Sequence, residues 1–224
     1  MRRLTVLAAA AALCLVGAGC ASVAQWARET ATPTATAPEG EGEPPIWRDS
    51  EAVGVPWDGA LRAGVRLPAE GEHHITWDPV LRTVGNRPGR RWATDTTIRA
   101  TLEIAEAHRR AHPGAPRMTV GDLSRRDGGD FGVRFGAPGH ASHQNGLDVD
   151  VYYPRADGRE RAADHVGQID RALAQDLVDR FLARGAAVVF VSRETGLRGP
   201  PGRVQYIPHH DRHLHARFGP LRGP

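Results

Sequence analysis

Two segments of the 224-residue chain concentrate side chains that bind metal or move protons. The first, Gly139 to Asp150 (GHASHQNGLDVD), holds His140, His143, Asp148 and Asp150 around an Asn145-Gly146 pair. Asn-Gly supplies backbone with positive φ and turns the chain back, so that His143 can approach a residue of the strand that follows. Asp148 and Asp150 stand two apart on that strand and therefore share a face. The second segment, His209 to Arg217 (HHDRHLHAR), places His213 and His215 in alternation on another strand, with His210 one short loop upstream. Two imidazoles and a carboxylate suffice for a three-ligand catalytic zinc site whose fourth position stays open to water. Zinc lowers the pKa of such a water toward about 7, and a neighbouring histidine can accept a proton or stabilise developing charge.

The remaining histidines read as structural. His73, His74 and His165 are isolated, and a lone histidine is more often hydrogen-bonded than a ligand. His108 and His112 have the i, i+4 spacing that can chelate metal, but Arg109 stands where a zincin has its glutamate, and a helix end favours cationic side chains in any case.

The elements that must position these residues follow from periodicity. Thr96 to Arg110 reads as a helix, with Ile98, Leu102, Ala105 and Arg109 on one stripe, Thr94 or Asp95 as cap and Pro113-Gly114 as stop. A second helix runs from about Gly167 to Arg184, with Ile169, Leu173, Leu177, Phe181 and Leu182 at helical spacing and Gly185 ending it. Strands are expected at Arg117 to Leu123, Leu147 to Tyr153, Ala187 to Ser192 and His213 to Phe218. Together these imply an α+β domain, a small, mostly antiparallel sheet with flanking helices.

Hydrophobic residues at 40% and charged residues at 25% describe a soluble globular chain and exclude a disordered or polytopic membrane protein. Basic residues, all of them arginine, number 29 against 26 acidic, and two of the 29 lie in the leader, which leaves no case for a nucleic-acid partner. Residues 1–19 form that leader: Arg2 and Arg3, then the apolar run Leu4 to Val16, then Gly17-Ala18-Gly19. The run is too short for a membrane span, which needs about 20 apolar residues. Cys14 and Cys20 are the only cysteines, so cleavage leaves at most one thiol. Cys20, directly after the small residues, resembles the lipid-bearing first residue of a bacterial lipoprotein; Ser22-Val23-Ala24 offers an ordinary signal-peptidase site as the alternative. Residues 20–45, with their TATPTATAPEGEGEPP run, cannot bury a core and read as a solvated tether. The folded domain is assigned to residues 46–224.

GHASHQNGLDVD together with His213-Leu214-His215 resembles the penicillin-insensitive murein endopeptidases, part of a wider group with lysostaphin-type and D-alanyl-D-alanine metallopeptidases and the hedgehog signalling domain. The resemblance runs from about Arg90 to Phe218 and takes in Val120 to Ser124 and Gly128-Gly129. It implies a hedgehog- and D-Ala-D-Ala-peptidase-like site in which His143, Asp150 and His215 bind zinc (Zn2+) and His213 is the catalytic histidine. His210 matches a further histidine near the active site, and His140 is a weaker ligand or a partner behind the ligands. The extra cysteines of the family are absent here, and Arg155 to Val166 matches only loosely. The implied activity is zinc-dependent hydrolysis of D-alanyl-diamino acid cross-links in peptidoglycan, outside the cytoplasm. The alternatives are a carboxypeptidase of the same group, which trims a terminal D-alanine, and a non-catalytic zinc-containing wall-binding domain. Membrane contact is expected only through a lipid on Cys20, so Cys20→Ser should move the protein from the membrane fraction to a soluble extracytoplasmic one. Unchanged fractionation with a mature chain starting at Gln25 would establish ordinary secretion instead.

Overall fold

In the computed structural model, residues 44–135 and 139–219 are described. The leader, Cys14, Cys20 and the tether up to residue 43 lie outside the described residues. The hairpin β1 (Glu51–Val55) and β2 (Asp58–Arg62) comes first, followed by β3 (Val65–Arg66), β4 (His74–Asp78), β5 (Thr83–Val84) and β6 (Trp92–Ala93). Next come α1 (Asp95–Ala111), β7 (Met118–Val120), β8 (Asp148–Tyr152), α2 (Arg171–Ala183), β9 (Ala186–Val191), β10 (Val204–Tyr206) and β11 (His213–Phe218). Seven strands join in the order β10-β9-β11-β8-β7-β4-β5. Only β10 with β9 and β4 with β7 run parallel, so the sheet is mostly antiparallel, as expected.

The expected small sheet is a large one, and the reason is physical. In β4 (HITWD) polarity alternates, but every residue is buried, with His74, Thr76 and Asp78 hydrogen-bonded inside the protein, so the polar side marks no solvated face, and β5 and β10 are too short to show a period. The expected strand at Arg117 to Leu123 pairs only over Met118–Val120.

Both helices form where their stripes lie. The Thr94 side chain caps α1 by accepting from the Thr97 N–H at 3.2 Å, and buried Thr101 is satisfied by donating to the Thr97 carbonyl at 2.8 Å. The buried stripe of α1 is Ile98, Ile104, Ala105 and His108, so the face is rotated from the expected one, and Leu102 packs only at its edge. The second helix starts at Arg171 rather than Gly167. Residues Val166–Gln168 make a separate 3-10 turn capped by His165, and the Asp170 side chain caps α2 by accepting from Leu173 N–H at 3.0 Å. Gly185, at φ +102°, ends it as expected.

Val149 and Val151 of β8 and Leu214 and Ala216 of β11 enter the core with Leu177, Val178 and Phe181 of α2 and Ile98 and Ile104 of α1. The alternating residues of β8 and β11 are thereby turned to the opposite face. No helix among the described residues is long and apolar enough to cross a membrane. Phe181 is fully buried where α2 meets the sheet. Phe181→Ala should lower unfolding free energy by about 3–5 kcal/mol in a denaturant titration, and a loss below about 1 kcal/mol would contradict this core.

Candidate active site

The register of β8 and β11 sets Asp148 opposite Arg217, Asp150 opposite His215 and Tyr152 opposite His213. Acids on one strand thus meet bases on the other, side by side on the face turned from the core. Buried Asp148 binds Arg217 in a fork, accepting from Nε at 2.7 Å and from Nη2 at 3.1 Å. It also accepts from the His143 backbone N–H at 2.9 Å, and its Oδ1 lies 3.2 Å from His215 Nε2. Burial alone would raise this carboxyl, but His215 and Arg217 outweigh it and hold Asp148 well below the usual carboxylate range.

His143 arrives from the Asn145-Gly146 turn, which approaches the following strand as the sequence suggests. Gly146 has φ +77°, and a Cβ there would fall 2.9 Å from both Thr94 N and Leu61 Cδ1, so only glycine fits. His143 itself takes φ +69°, a conformation that costs a non-glycine residue of order 1–3 kcal/mol and persists only when its surroundings enforce it. The β1–β2 hairpin enforces it: Gln144 N–H donates to the Pro56 carbonyl at 2.9 Å, and Asn145 Nδ2 donates to Gly54 O at 3.3 Å. From the other side, His143 Nδ1 donates to the Leu123 carbonyl at 2.7 Å. A carbonyl can only accept, so Nδ1 carries the proton and the lone pair sits on Nε2.

That Nε2 points at Asp150 Oδ1, 3.4 Å away, and His215 Nδ1 approaches the same oxygen at 3.3 Å. Neither His143 Nε2 nor Asp150 Oδ1 has a hydrogen-bond partner although both are buried. Two buried acceptors turned toward each other form a pair that a cation would satisfy. Ligand atoms about 2.0–2.1 Å from a tetrahedral metal ion stand about 3.3–3.4 Å apart, which the separations of His143 and His215 from Asp150 match. Two overlapping groups have ligand atoms close enough to hold an ion, His140 with His143 and Asp150, and His143 with Asp148 and His215. Without metal, both His215 nitrogens face carboxylates. Burial pulls its pKa down, but Asp148 and Asp150 prevail and push it up to about 9. Burial lowers His143, and Asp150 lies well below its ordinary range because His143 and His213 overcome its desolvation.

His213 Nε2 stands 3.8 Å from Asp150 Oδ1 at the exposed edge of the cluster, 21% accessible. Burial of its ring takes it down to about 4, so it is a neutral base at ordinary pH. Its ring lies 5.0 Å from that of His210, which packs in turn on Phe190. His140 Nε2 donates to Asp122 at 2.8 Å and leaves Nδ1 3.8 Å from Asp150 Oδ2, farther than His143 and His215 stand from that carboxylate. All six residues singled out from the sequence therefore converge.

Sequence reading missed the supports behind them. Asp122 takes the Arg90 fork at 2.8 and 2.6 Å and the Asn86 amide at 2.8 Å, and these with His140 keep it ionised against its burial. Arg217 was open to discovery, since it continues the His213, His215 alternation. The Arg90 to Asp122 pairing, 32 residues apart, leaves no periodic trace. His74 and His165 have structural partners, the Pro68 carbonyl and the Gly167 N–H.

Among protein families, the penicillin-insensitive murein endopeptidases match this chain over residues 52–184, more than half of its length. The match includes His140, His143 and Asp150 and ends before His210, His213 and His215. No curated protein matches the chain.

The titration of the cluster has a sign. A histidine raised to about 9 in the folded state stabilises the fold fully below about 6.5, and that stabilisation is lost as pH climbs to about 9. Lowered His213 acts oppositely and costs stability as pH falls from about 6.5 toward about 4. Chelator-treated protein should thus show its highest thermal midpoint near pH 6.5. A midpoint that stays flat or rises between pH 6.5 and 9 would contradict the His215 environment.

Proposed function

The chain belongs to the penicillin-insensitive murein endopeptidase family, and we propose that it is a zinc enzyme that cuts D-alanyl-diamino acid cross-links of peptidoglycan. The observation that carries this reading is the approach of His143 Nε2 and His215 Nδ1 to one oxygen of Asp150, at 3.4 and 3.3 Å. Two imidazoles with one carboxylate suit zinc, whereas calcium and magnesium take oxygen donors. When bound, zinc supplies an acidified water and polarises the scissile carbonyl.

The chain's own residues supply the rest. His213, neutral and at the open edge, takes a proton from the attacking water through Nε2 and returns one to the departing amine, so the amide C–N bond is exchanged for a carboxylate and an amine. Its protonated ring also donates to the developing oxyanion. His210 packs against that ring and restrains its plane, while Asp122 holds His140 against the second oxygen of Asp150. Asp148 fixes the His143 backbone and the far side of His215. With no acyl-enzyme on the path, a penicillin finds no nucleophilic side chain to acylate. Residues 46–224 would carry this hedgehog- and D-Ala-D-Ala-peptidase-like centre. An export signal over residues 1–19, lipid on Cys20 and a tether over residues 20–45 would place it against the wall, outside the cytoplasm.

Purified sacculi incubated with the protein should lose cross-linked dimers to monomers by mass spectrometry, and chelator should stop this. Loss of single alanines from monomers would instead identify a carboxypeptidase, and no product a wall-binding domain. His143→Ala, Asp150→Ala and His215→Ala should each lose this zinc. His213→Ala should keep it and lose about 10²–10⁴-fold in turnover. If His213→Ala loses zinc while His215→Ala retains it, the two roles are exchanged.

A further inference from the structure

A second cluster of metal-binding side chains lies where α1 ends against α2. His108 and His112, one turn apart, face the same side of α1, and α2 brings Asp176 to them. One nitrogen from each ring and one oxygen of Asp176 all lie within 4.8 Å of one another. His112 Nε2 stands 3.4 Å from Asp176 Oδ1, the edge of a tetrahedral zinc site, and His108 Nδ1 is 2.6 Å from Oδ2. His112 Nε2, the nitrogen that faces Asp176 Oδ1, is buried without a hydrogen-bond partner. His108 is 1% exposed.

We propose that His108, His112 and Asp176 form a second zinc site, a structural one, that staples the last turn of α1 to α2. Arg180 Nε, 2.5 Å from Asp176 Oδ2, occupies that oxygen and leaves Oδ1 for the ion. Ligation through Nδ1 takes the neutral ring of His108 in its other tautomer, so the hydrogen that Nδ1 shares with Asp176 moves to Nε2. Entry is open: His112 borders a surface cleft of about 420 Å³ together with Pro113, Ala115 and Leu173. The cluster shares no residue with the His143 site.

Zinc stoichiometry of the full chain after dialysis decides the matter. Wild type should hold two equivalents, His112→Ala one, His143→Ala one and the double variant none. Zinc should raise the thermal midpoint of His143→Ala but not of the double variant. His112→Ala should hydrolyse cross-linked muropeptides at the wild-type rate, as a staple remote from the chemistry requires. Asp176→Asn gives a second route to the same loss if His112→Ala misfolds. A single equivalent lost in His112→Ala and kept in His143→Ala would support this site while sinking the catalytic zinc. Wild-type stoichiometry in both His112→Ala and Asp176→Asn, or a single equivalent that only His143→Ala removes, would overturn the proposal.

Discussion

A buried carboxylate is tolerable in a protein interior only if every one of its lone pairs is answered. Asp148 meets that condition by drawing on three parts of the chain: the Arg217 guanidinium, the His215 ring and the backbone N–H of His143. Removing one partner of such a buried pair typically costs about 3–5 kcal/mol, because the remaining charge is stranded. The same residue that keeps the sheet intact therefore also fixes the orientation of two imidazoles. Stability and site geometry depend here on one interaction.

The second constraint is the two-residue period of the sheet. Val149, Val151, Leu214 and Ala216 are committed to the core, so Asp148, Asp150, His213 and His215 have no choice of face. A slip of one residue between β8 and β11 would bury the acids and expose the valines, and hydrophobic burial forbids it. Apolar side chains thus dictate the alignment of polar ones that they never touch. The strained φ at His143 is sustained in a similar indirect way, by the carbonyls of Gly54 and Pro56 in the hairpin.

Legibility in the sequence tracked how local each signal was. The alternations DVDVY and HLHARF disclosed the two strands and their polar face, and the apolar stripes with Thr94 and Gly185 disclosed both helices. The alternation of β4 marks no solvated face because its polar residues are buried too, and β5 and β10 are too short to alternate, which is why the sheet proved larger than expected. The meeting of Asp122 with Arg90 and Asn86, and of Asp176 with His108, joins residues far apart in the chain. No periodicity encodes such pairs. His108 looked like an ordinary helix-end base because its partner belongs to another helix.

The place of β11 in the sheet has a consequence for when the protein becomes competent. It is the last strand in chain order, yet it sits between β9 and β8, two strands formed from earlier segments. The sheet stays split until this strand is inserted, and such non-local pairing is slow because loop closure must come first. His213 and His215 travel on it, so a chain made as far as Asp150 but not yet to His213 carries His140, His143 and Asp150 without their partners. The cluster is therefore complete only once the closing strand is in place, and its assembly is tied to the slowest pairing of the sheet.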